Sequence, residues 1–394
     1  MIAHWNHFWF SKDSSQVLCL LRIFFGFTLL QKMTHFHRFF ITSNWRVYFP
    51  WSLIRKEKDW FMEDFRLPVP GFEWLPVPSY EMYHALETMV LVLCVFFILG
   101  LFTRVVAPLL AGTYGYLFLL SQFTYSHHIF LFVLVLSVLA FAPINDHYSL
   151  DAYLFRTHKP APKRSVLPTR MLQILVCFLY GFTTLAKHDV SWFNGQFMEG
   201  LYTSGRMDGL LAPAAPIIGF QFFGLSTLVI EGLLAFGLMV PRLRRLSWFL
   251  GIALHVGIDT MMDVSTYSYQ MMALYILFIA PVSGETVILY DGRDPGSTRR
   301  RRLWGLLDWL RRFTCIDVAT PAGQSAAQGL SGDVLQTGWA VVTPDGEIQQ
   351  GYDAWHALAV RTPLLFMVAW PLGLPGARAI GETLFTATNF SFQK

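Results

Sequence analysis

The chain has 394 residues, of which 54% are hydrophobic and only 14% are charged, and its mean hydropathy is +0.42. This composition excludes an ordinary soluble protein of two or three domains and is typical of a chain embedded in a membrane. The net charge of +4 is too small to indicate a nucleic-acid partner. The four cysteines lie far apart and form no zinc pattern, CxxC motif or disulfide framework, so we interpret them as packing residues and expect no metal.

The first fifteen residues, MIAHWNHFWFSKDSS, lack the basic start, apolar centre and cleavage site of a signal peptide. Their aromatic residues indicate a short segment that lies in the membrane interface. We therefore expect this segment to stay attached to the protein.

Apolar runs long enough to cross a hydrocarbon core of about 30 Å follow along the chain. Eight of them begin near residues 15, 83, 105, 128, 168, 219, 246 and 267, and the last ends near 285. Basic residues follow every second run: Arg104; Arg156, Lys159, Lys163, Arg164 and Arg170; Arg242, Arg244 and Arg245; and Arg299 to Arg302. The positive-inside rule predicts that these positions and both termini face the cytoplasm, in a plasma (inner) membrane, and that the other connections face outward.

The remaining segments complete the predicted architecture. Residues 35–80 mix charges, aromatics and prolines, as in FRLPVPGFEWLPVP, and we predict an irregular aromatic cap over the external face. After residue 285, ETVILYDG and TCIDVAT indicate strands, RRRRLWGLLDWLRRF an amphipathic helix, and GWAVVTPDGEIQQG a hairpin followed by a helix from Tyr352. The predicted fold is a mainly α polytopic membrane bundle over residues 1–285, with a small cytoplasmic α/β domain over residues 286–394.

Ionisable residues inside the predicted spans cost about 3 kcal/mol each on insertion scales, so each suggests a role. Glu231 lies ten residues before Pro241 and His255 lies ten residues after Arg245. At about 1.5 Å per helical residue, both lie about 15 Å from the cytoplasmic edge, near the midplane. Two interpretations of Glu231 stay open: a hydrogen bond to a neighbouring helix, or a contact that fixes the tautomer of His255.

Lys187 stands in LAKHDVSWFNG, seventeen residues after Arg170 and about 26 Å along the same predicted helix, close to the external interface. It is either an anchor that reaches to the headgroups or a base, which requires a lysine shielded from water. Trp192 and the aromatic cap are candidates for the shielding lid.

Further polar residues are predicted at the same external level. A metal site made from His127, His128, His255, Asp259 and Asp263 has no recognised spacing to support it. The hydroxyls of Tyr267, Ser268 and Tyr269 either contribute to a site or decorate the interface.

Four blocks resemble, in order, the HTTM family, the horizontally transferred transmembrane domain that vitamin K-dependent gamma-glutamyl carboxylase shares with many bacterial proteins. They are YSHHIFLFVLVLSVLAFAPINDHYSLDAY, YGFTTLAKHDVSWFNG, LVIEGLLAFGL and HVGIDTMMDVSTYSYQM, and the resemblance covers roughly residues 12 to 285. Lys187, five residues before Trp192, matches the position of the catalytic base of the carboxylase. The chain departs from the carboxylase at Ala186, where that family has a second lysine, and at His188, where it has leucine.

The resemblance implies a membrane enzyme that uses an isoprenoid quinol, such as a menaquinol, to modify an exported peptide or protein. It implies catalytic roles for Lys187, His128 and His255. The residues expected to bind the cofactor are Glu231, Trp192, Ser268 and Tyr269. The alternative is a non-catalytic maturation or export factor for a secreted peptide, and ion or proton transport through Glu231 and His255 is less favoured because no repeats or broken helices are evident.

The segment YDGRDPGS resembles the DCC thiol-disulfide oxidoreductase-like family, which has a thioredoxin-type fold and the signature Asp-Gly-x-Cys-x-x-Cys. Asp291 and Gly292 match this signature, but Asp294 and Ser297 stand at the two cysteine positions. Without paired thiols there is no dithiol exchange. The resemblance therefore implies a redox-inactive domain that stabilises the protein or docks a cytoplasmic partner.

Overall fold

The computed structural model describes residues 2–34, 68–120, 122, 125–155, 163–262, 264, 266–278, 286–308, 313–326, 339–343 and 346–362, with residues 365, 369, 372, 376 and 378–383. The chain divides into two compact units, Met1–Phe278 and Ile279–Lys394. This division and the predicted boundary at 285 lie on either side of the segment 279–285, which is outside the described residues. Most of the predicted cap, from 35 to 67, is also outside them.

The first unit is mostly helical. Its helices are α1 (Ile2–Phe10), α2 (Gln16–Thr34), α3 (Tyr80–Leu99), α4 (Thr103–Leu119), α5 (His127–Leu139), α6 (Leu150–Phe155), α7 (Leu167–Ala186), α8 (Val190–Asn194), α9 (Gln196–Thr203), α10 (Ala215–Ile218), α11 (Phe220–Gly237), α12 (Arg244–Met261) and α13 (Tyr267–Leu274). Short 3-10 helices, Ala212–Ala214 and Tyr275–Phe278, precede α10 and follow α13. The strands β1 (Lys12–Asp13) and β2 (Arg164–Ser165) pair antiparallel and bring the start of α2 beside the start of α7.

A helix occupies each of the eight predicted positions, and four of the described helices are long and apolar enough to cross a membrane. These four are Gln16–Thr34, Glu81–Leu99, Leu167–Ala186 and Phe220–Gly237. Of the others, α4 has 17 residues with Pro108 inside, α5 has 13, α13 has 8, and α12 opens on two arginines. The remaining four crossings therefore stay a prediction.

Helices that follow one another in the sequence are neighbours in the first unit, as short connections favour. From α2 to α5 each helix packs on the next; α5 then packs on α7, α7 on α11, α11 on α12 and α12 on α13, and α13 returns to α2. The interior between them is filled by aliphatic and aromatic side chains such as Phe25, Leu29, Phe132 and Val135. The helices α7, α11, α12 and α13 carry the polar residues considered below.

The second unit contains a four-stranded sheet of order β4-β3-β5-β6, made of β3 (Thr286–Tyr290), β4 (Phe313–Asp317), β5 (Trp339–Val342) and β6 (Ile348–Gln349). β3 and β4 are parallel and are connected through α14 (Pro295–Leu307), whereas β5 is antiparallel to β3 and to β6. Two more helices in the unit are α15 (Pro321–Ala326) and α16 (Gly351–Ala359), and residues 378–383 are also helical. The predicted strands, hairpin and final helix are all present.

Asp294, at the first of the two expected cysteine positions, stabilises the start of a helix in the second unit. Its carboxylate accepts hydrogen bonds from the backbone N–H groups of Gly296 and Ser297, and so caps the start of α14. Ser297, at the second position, is fully buried and its hydroxyl accepts a hydrogen bond from Asp291 N–H. These contacts stabilise the start of α14.

Candidate functional site

The candidate site begins on one face of α7. Tyr180, Thr183, Thr184 and Lys187 are three, four and seven residues apart, so their side chains lie on the same side of the helix. Lys187, which ends α7, donates hydrogen bonds from Nζ to Glu231 Oε2 on α11 at 2.6 Å and to the Thr183 carbonyl at 3.2 Å. The Lys187 side chain is 17% exposed and that of Glu231 is 10% exposed. Lys187 and Glu231 thus form a largely enclosed ion pair between two membrane helices.

Trp192 covers this ion pair from the chain that follows α7. Asp189 caps the short helix α8 by accepting a hydrogen bond from Ser191 N–H at 2.7 Å. The Ser191 hydroxyl, together with this N–H, lowers the pKa of the Asp189 carboxyl. The indole ring of Trp192 then lies with its centroid 5.2 Å from Lys187 Nζ, and Phe197 stacks on the ring at 4.1 Å. Gly224 on α11 lies against the Trp192 carbonyl, where a larger residue has no room. The Trp192 part of the predicted lid therefore lies over the amine.

Lys187 and Glu231 are predicted at different depths, the external interface and the midplane, and their side chains meet. The two short helices that follow Lys187, α8 and α9, also pack against α11. Glu231 lies eleven residues after Phe220, the first residue of α11, which corresponds to about 16 Å of helix beyond the ion pair.

His255 belongs to a second hydrogen-bonded group, with Tyr180 and Tyr275. Its Nε2 shares a hydrogen bond of 2.6 Å with the Tyr180 hydroxyl, which is also hydrogen-bonded to the hydroxyl of Tyr275. Gly251, one helical turn before His255, lies against the Tyr275 hydroxyl, so a side chain at this position would displace it. All three side chains are buried, and their arrangement joins α7, α12 and the 3-10 helix after α13.

Of the two interpretations left open for Glu231, the structure shows the hydrogen bond to a neighbouring helix. Its carboxylate faces Lys187, while His255 contacts tyrosines: its Nε2 shares a hydrogen bond with Tyr180, and its ring also packs against Tyr267 and Tyr275. The other interpretation, a contact between Glu231 and His255, is not observed, because equal depth does not ensure that two side chains point toward each other.

The other predicted site residues are less closely gathered. The His128 ring shares a hydrogen bond with the Ser126 hydroxyl, and its backbone carbonyl accepts one from Gln270 Nε2 at 3.0 Å. Within the described part of the chain, His128 forms no hydrogen bond with Lys187 or His255. Tyr269 donates its hydroxyl proton to Asp259 Oδ2 at 2.8 Å. Asp263 lies outside the described residues, among which no group of three potential metal ligands occurs.

Several buried polar atoms on α12, α13 and the residue before α13 have no hydrogen-bond partner among the described residues. They are His255 Nδ1, Thr266 Oγ1, Ser268 Oγ and Gln270 Oε1. Native proteins leave few buried polar atoms unpaired, and each such atom calls for an explanation. Each of these atoms is a candidate for contact with a polar ligand, and Ser268 is one that the sequence indicated as a cofactor-binding residue.

Sequence reasoning missed Tyr180 and Tyr275, the two partners of the His255 group. A signal for Tyr180 was present, because it precedes Lys187 by seven residues and therefore shares its helix face. Nothing comparable marks Tyr275, since its contact with Tyr180 joins segments that are 95 residues apart.

The fold and the site define a polytopic helical membrane protein that carries an ion pair and a tyrosine–histidine–tyrosine group inside its bundle. The chain belongs to the HTTM domain family, whose model matches residues 10–282. This match includes α2 to α13 and all of the candidate site residues. No solved structure matches the chain.

Proposed function

We propose that the protein is an integral membrane enzyme that uses an isoprenoid quinol, such as menaquinol, and dioxygen to modify an exported peptide or protein. The reaction class follows the resemblance to vitamin K-dependent gamma-glutamyl carboxylase. The observation that carries the proposal is the 2.6 Å contact between Lys187 Nζ and Glu231 Oε2, enclosed between α7 and α11 and covered by Trp192. An ionisable pair inside a membrane bundle is expensive, and such residues are commonly functional.

Lys187 acts as a base only as a neutral amine, and the contact between Nζ and Glu231 Oε2 supports this role because a carboxylate is able to accept a proton. In surroundings of low dielectric constant, a charged pair exchanges with a neutral pair when the proton moves along the hydrogen bond from Nζ to Oε2. Glu231 then holds that proton, and Lys187 takes another from a substrate hydroxyl. Trp192 shields the amine from water, which would otherwise supply competing protons.

Unpaired polar atoms of the same unit support the proposal of a bound quinol. When bound, a quinol supplies an acidic ring hydroxyl and the reducing electrons for reaction with dioxygen. His255 Nδ1, Ser268 Oγ and Thr266 Oγ1 are the unpaired polar atoms that would hold its oxygens. Tyr180 holds His255 through Nε2 and so orients Nδ1 for this contact. His128 and Tyr269 are more remote members of the proposed site.

The proposal also includes the finer architecture. Eight crossings with both termini in the cytoplasm would place the Lys187 end of α7 on the external or periplasmic side of the plasma (inner) membrane. In the second unit, a parallel βαβ pair followed by an antiparallel hairpin and a helix supports a thioredoxin-type fold. With Asp294 and Ser297 in place of cysteines, this unit serves in stability or partner docking rather than in thiol exchange.

The test is oxygen consumption by the purified full-length protein with a reduced naphthoquinol, in detergent or nanodiscs. Lys187→Ala and Lys187→Arg are compared with Lys163→Ala, which removes an exposed lysine of the same unit. Because arginine keeps the charge and the contact with Glu231 but does not deprotonate, both Lys187 variants lose about 100-fold or more of the rate. Lys163→Ala retains it.

Two results would contradict this function. One is a wild-type protein that neither carries a quinone after purification nor consumes oxygen above a blank of empty micelles. The other is full activity in Lys187→Arg, which is the behaviour of an anchor. Exported peptides of unchanged mass but altered secretion would instead favour a non-catalytic export factor.

A further inference from the structure

A separate cavity of about 550 Å³ lies at the other end of α7 from Lys187. Its lining is formed by the first residues of α4, the last residue of α5 and the residues after it, the β2 strand and the first residues of α7. The polar lining residues are Thr103, Arg104, Asn145, Arg164 and Ser165, and the apolar ones include Leu139, Phe141, Pro143, Leu167 and Pro168. None of the candidate site residues described above contributes to it.

The cavity lies at the level of a membrane–water interface. The helix Leu167–Ala186 begins in its wall, and the helix Glu81–Leu99 ends four residues before Thr103, another of its lining residues. Both helices are long and apolar enough to span. Because spanning helices end where the hydrocarbon ends, their termini mark the layer that contains lipid headgroups.

The lining is positively charged. Arg104 and Arg164 are the only ionisable residues among the described residues that line it, and Arg104 forms no hydrogen bond or ion pair with the described residues. Arg164 is held by Asp146 through Nε at 2.7 Å and Nη2 at 3.1 Å, which leaves Nη1 to bind another group. The Asp146 side chain is only 1% exposed, and its carboxylate forms an ion pair with Arg164. The cavity therefore offers two guanidinium groups to an anion.

A buried hydroxyl adds a second, independent observation. Thr103 is 2% exposed, lines the cavity, and its Oγ1 has no hydrogen-bond partner among the described residues. The first N–H groups of α4 do not supply the site, because the Asp151 carboxylate already accepts hydrogen bonds from Phe102 and Thr103. The unpaired donors are thus side chains.

We propose that this cavity binds the phosphate group of an anionic membrane phospholipid. Arg104, Arg164 Nη1 and Thr103 Oγ1 contact the phosphate oxygens, while Leu139, Leu167 and Phe141 contact the start of an acyl chain. Phe141 is 88% exposed, which suits a residue that faces lipid better than one that faces water. The apolar half of the lining favours a phospholipid over free phosphate.

The test counts bound lipid on the full-length protein by native mass spectrometry. The protein is titrated with phosphatidylglycerol, with zwitterionic phosphatidylcholine and, separately, with inorganic phosphate. The variants are Arg104→Gln, Thr103→Val and Arg242→Gln, the last a matched control that removes an exposed arginine at another helix end. Loss of one charge-assisted hydrogen bond should weaken phosphatidylglycerol binding about tenfold in Arg104→Gln, and less in Thr103→Val.

The expected pattern is tight phosphatidylglycerol binding that Arg104→Gln weakens and Arg242→Gln does not. Equal weakening by both arginine variants would mean general surface charge and would overturn the proposed site. Equal binding of phosphatidylcholine would contradict the proposed preference for an anionic lipid. Binding of inorganic phosphate with the same half-saturation would show that the site binds phosphate without the rest of the lipid, and would overturn the proposal. The proposed quinol chemistry is not involved in any of these outcomes.

Discussion

Two clusters of buried charge in the first unit, one around Arg22 and one around Lys187, are built in different ways. Arg22 on α2 is fully buried, and it donates from Nη1 to the Phe97 carbonyl at 2.9 Å and from Nη2 to the Tyr148 carbonyl at 2.5 Å. Its guanidinium lies against Gly100, where a side chain would collide with it. Lys187 instead meets the carboxylate of Glu231, beside the hydroxyls of the Tyr180 group.

The difference concerns what each cluster is able to do. Backbone carbonyls do not exchange protons, so Arg22 only connects α2 to the end of α3 and the turn before α6. Carboxylate, amine, imidazole and phenol groups all exchange protons, so the residues around Lys187 and His255 are able to redistribute charge between helices. The comparison predicts that the Arg22 cluster maintains the fold and that the Lys187 cluster carries the chemistry.

The largest effect is expected for Arg22→Met. This change removes both hydrogen bonds of the buried guanidinium, to the Phe97 and Tyr148 carbonyls, and it should lower the free energy of unfolding by about 4 kcal/mol. The measurement is the unfolding midpoint in detergent, with Arg242→Met as the exposed control. If Arg22→Met unfolds like the wild type but loses activity, Arg22 is functional and the comparison fails.

Glu231→Gln tests the other cluster. Glutamine keeps the size of the side chain and a hydrogen bond but does not take a proton, so quinol-dependent oxygen consumption should fall about 100-fold. The matched control is Glu199→Gln, which changes an exposed glutamate on α9 and should leave the rate of oxygen consumption unchanged. A large loss of stability without a specific loss of rate would assign Glu231 to the fold instead.

Tyr180→Phe should have a smaller, mixed effect. It removes the hydroxyl between His255 and Tyr275, and the two unpaired groups should cost about 2 kcal/mol in unfolding free energy. The rate should fall less than in Glu231→Gln, because Tyr180 only positions His255. The free energy of unfolding and the rate of oxygen consumption are measured for Tyr180→Phe and for the control Tyr202→Phe, whose hydroxyl is not part of this group. An equal response of the two variants would contradict the positioning role of Tyr180.

Asp151→Ala should have the smallest effect. The Asp151 carboxylate caps α4 through Phe102 N–H at 2.7 Å and Thr103 N–H at 2.9 Å. Loss of such a cap costs about 1 kcal/mol, which a shift of the unfolding midpoint reports, and Asp151→Asn should lose less because asparagine also caps. A loss of oxygen consumption greater than the loss of folded protein would contradict a purely structural role for Asp151.

Much of the fold was predictable from the sequence, because helix positions depend on local apolar runs. Helices are present at all eight predicted starts, and the sheet with its hairpin is present in the second unit. The candidate site was predictable only in part. Lys187, Glu231 and Trp192 were selected by residue type and do come together, but the sequence left two interpretations of Glu231 open and gave no signal for Arg22.

The sequence by itself determined that this protein is a helical membrane protein with an α/β unit after it, and it indicated which polar residues need an explanation. These properties depend on composition and on spacing along one helix. Only the tertiary structure decided which of those residues meet. Each step along a helix turns the side chain by about 100°, so the partner of a buried group depends on how every helix is rotated and offset against its neighbours. For that reason Lys187 meets Glu231, and His255 meets Tyr180.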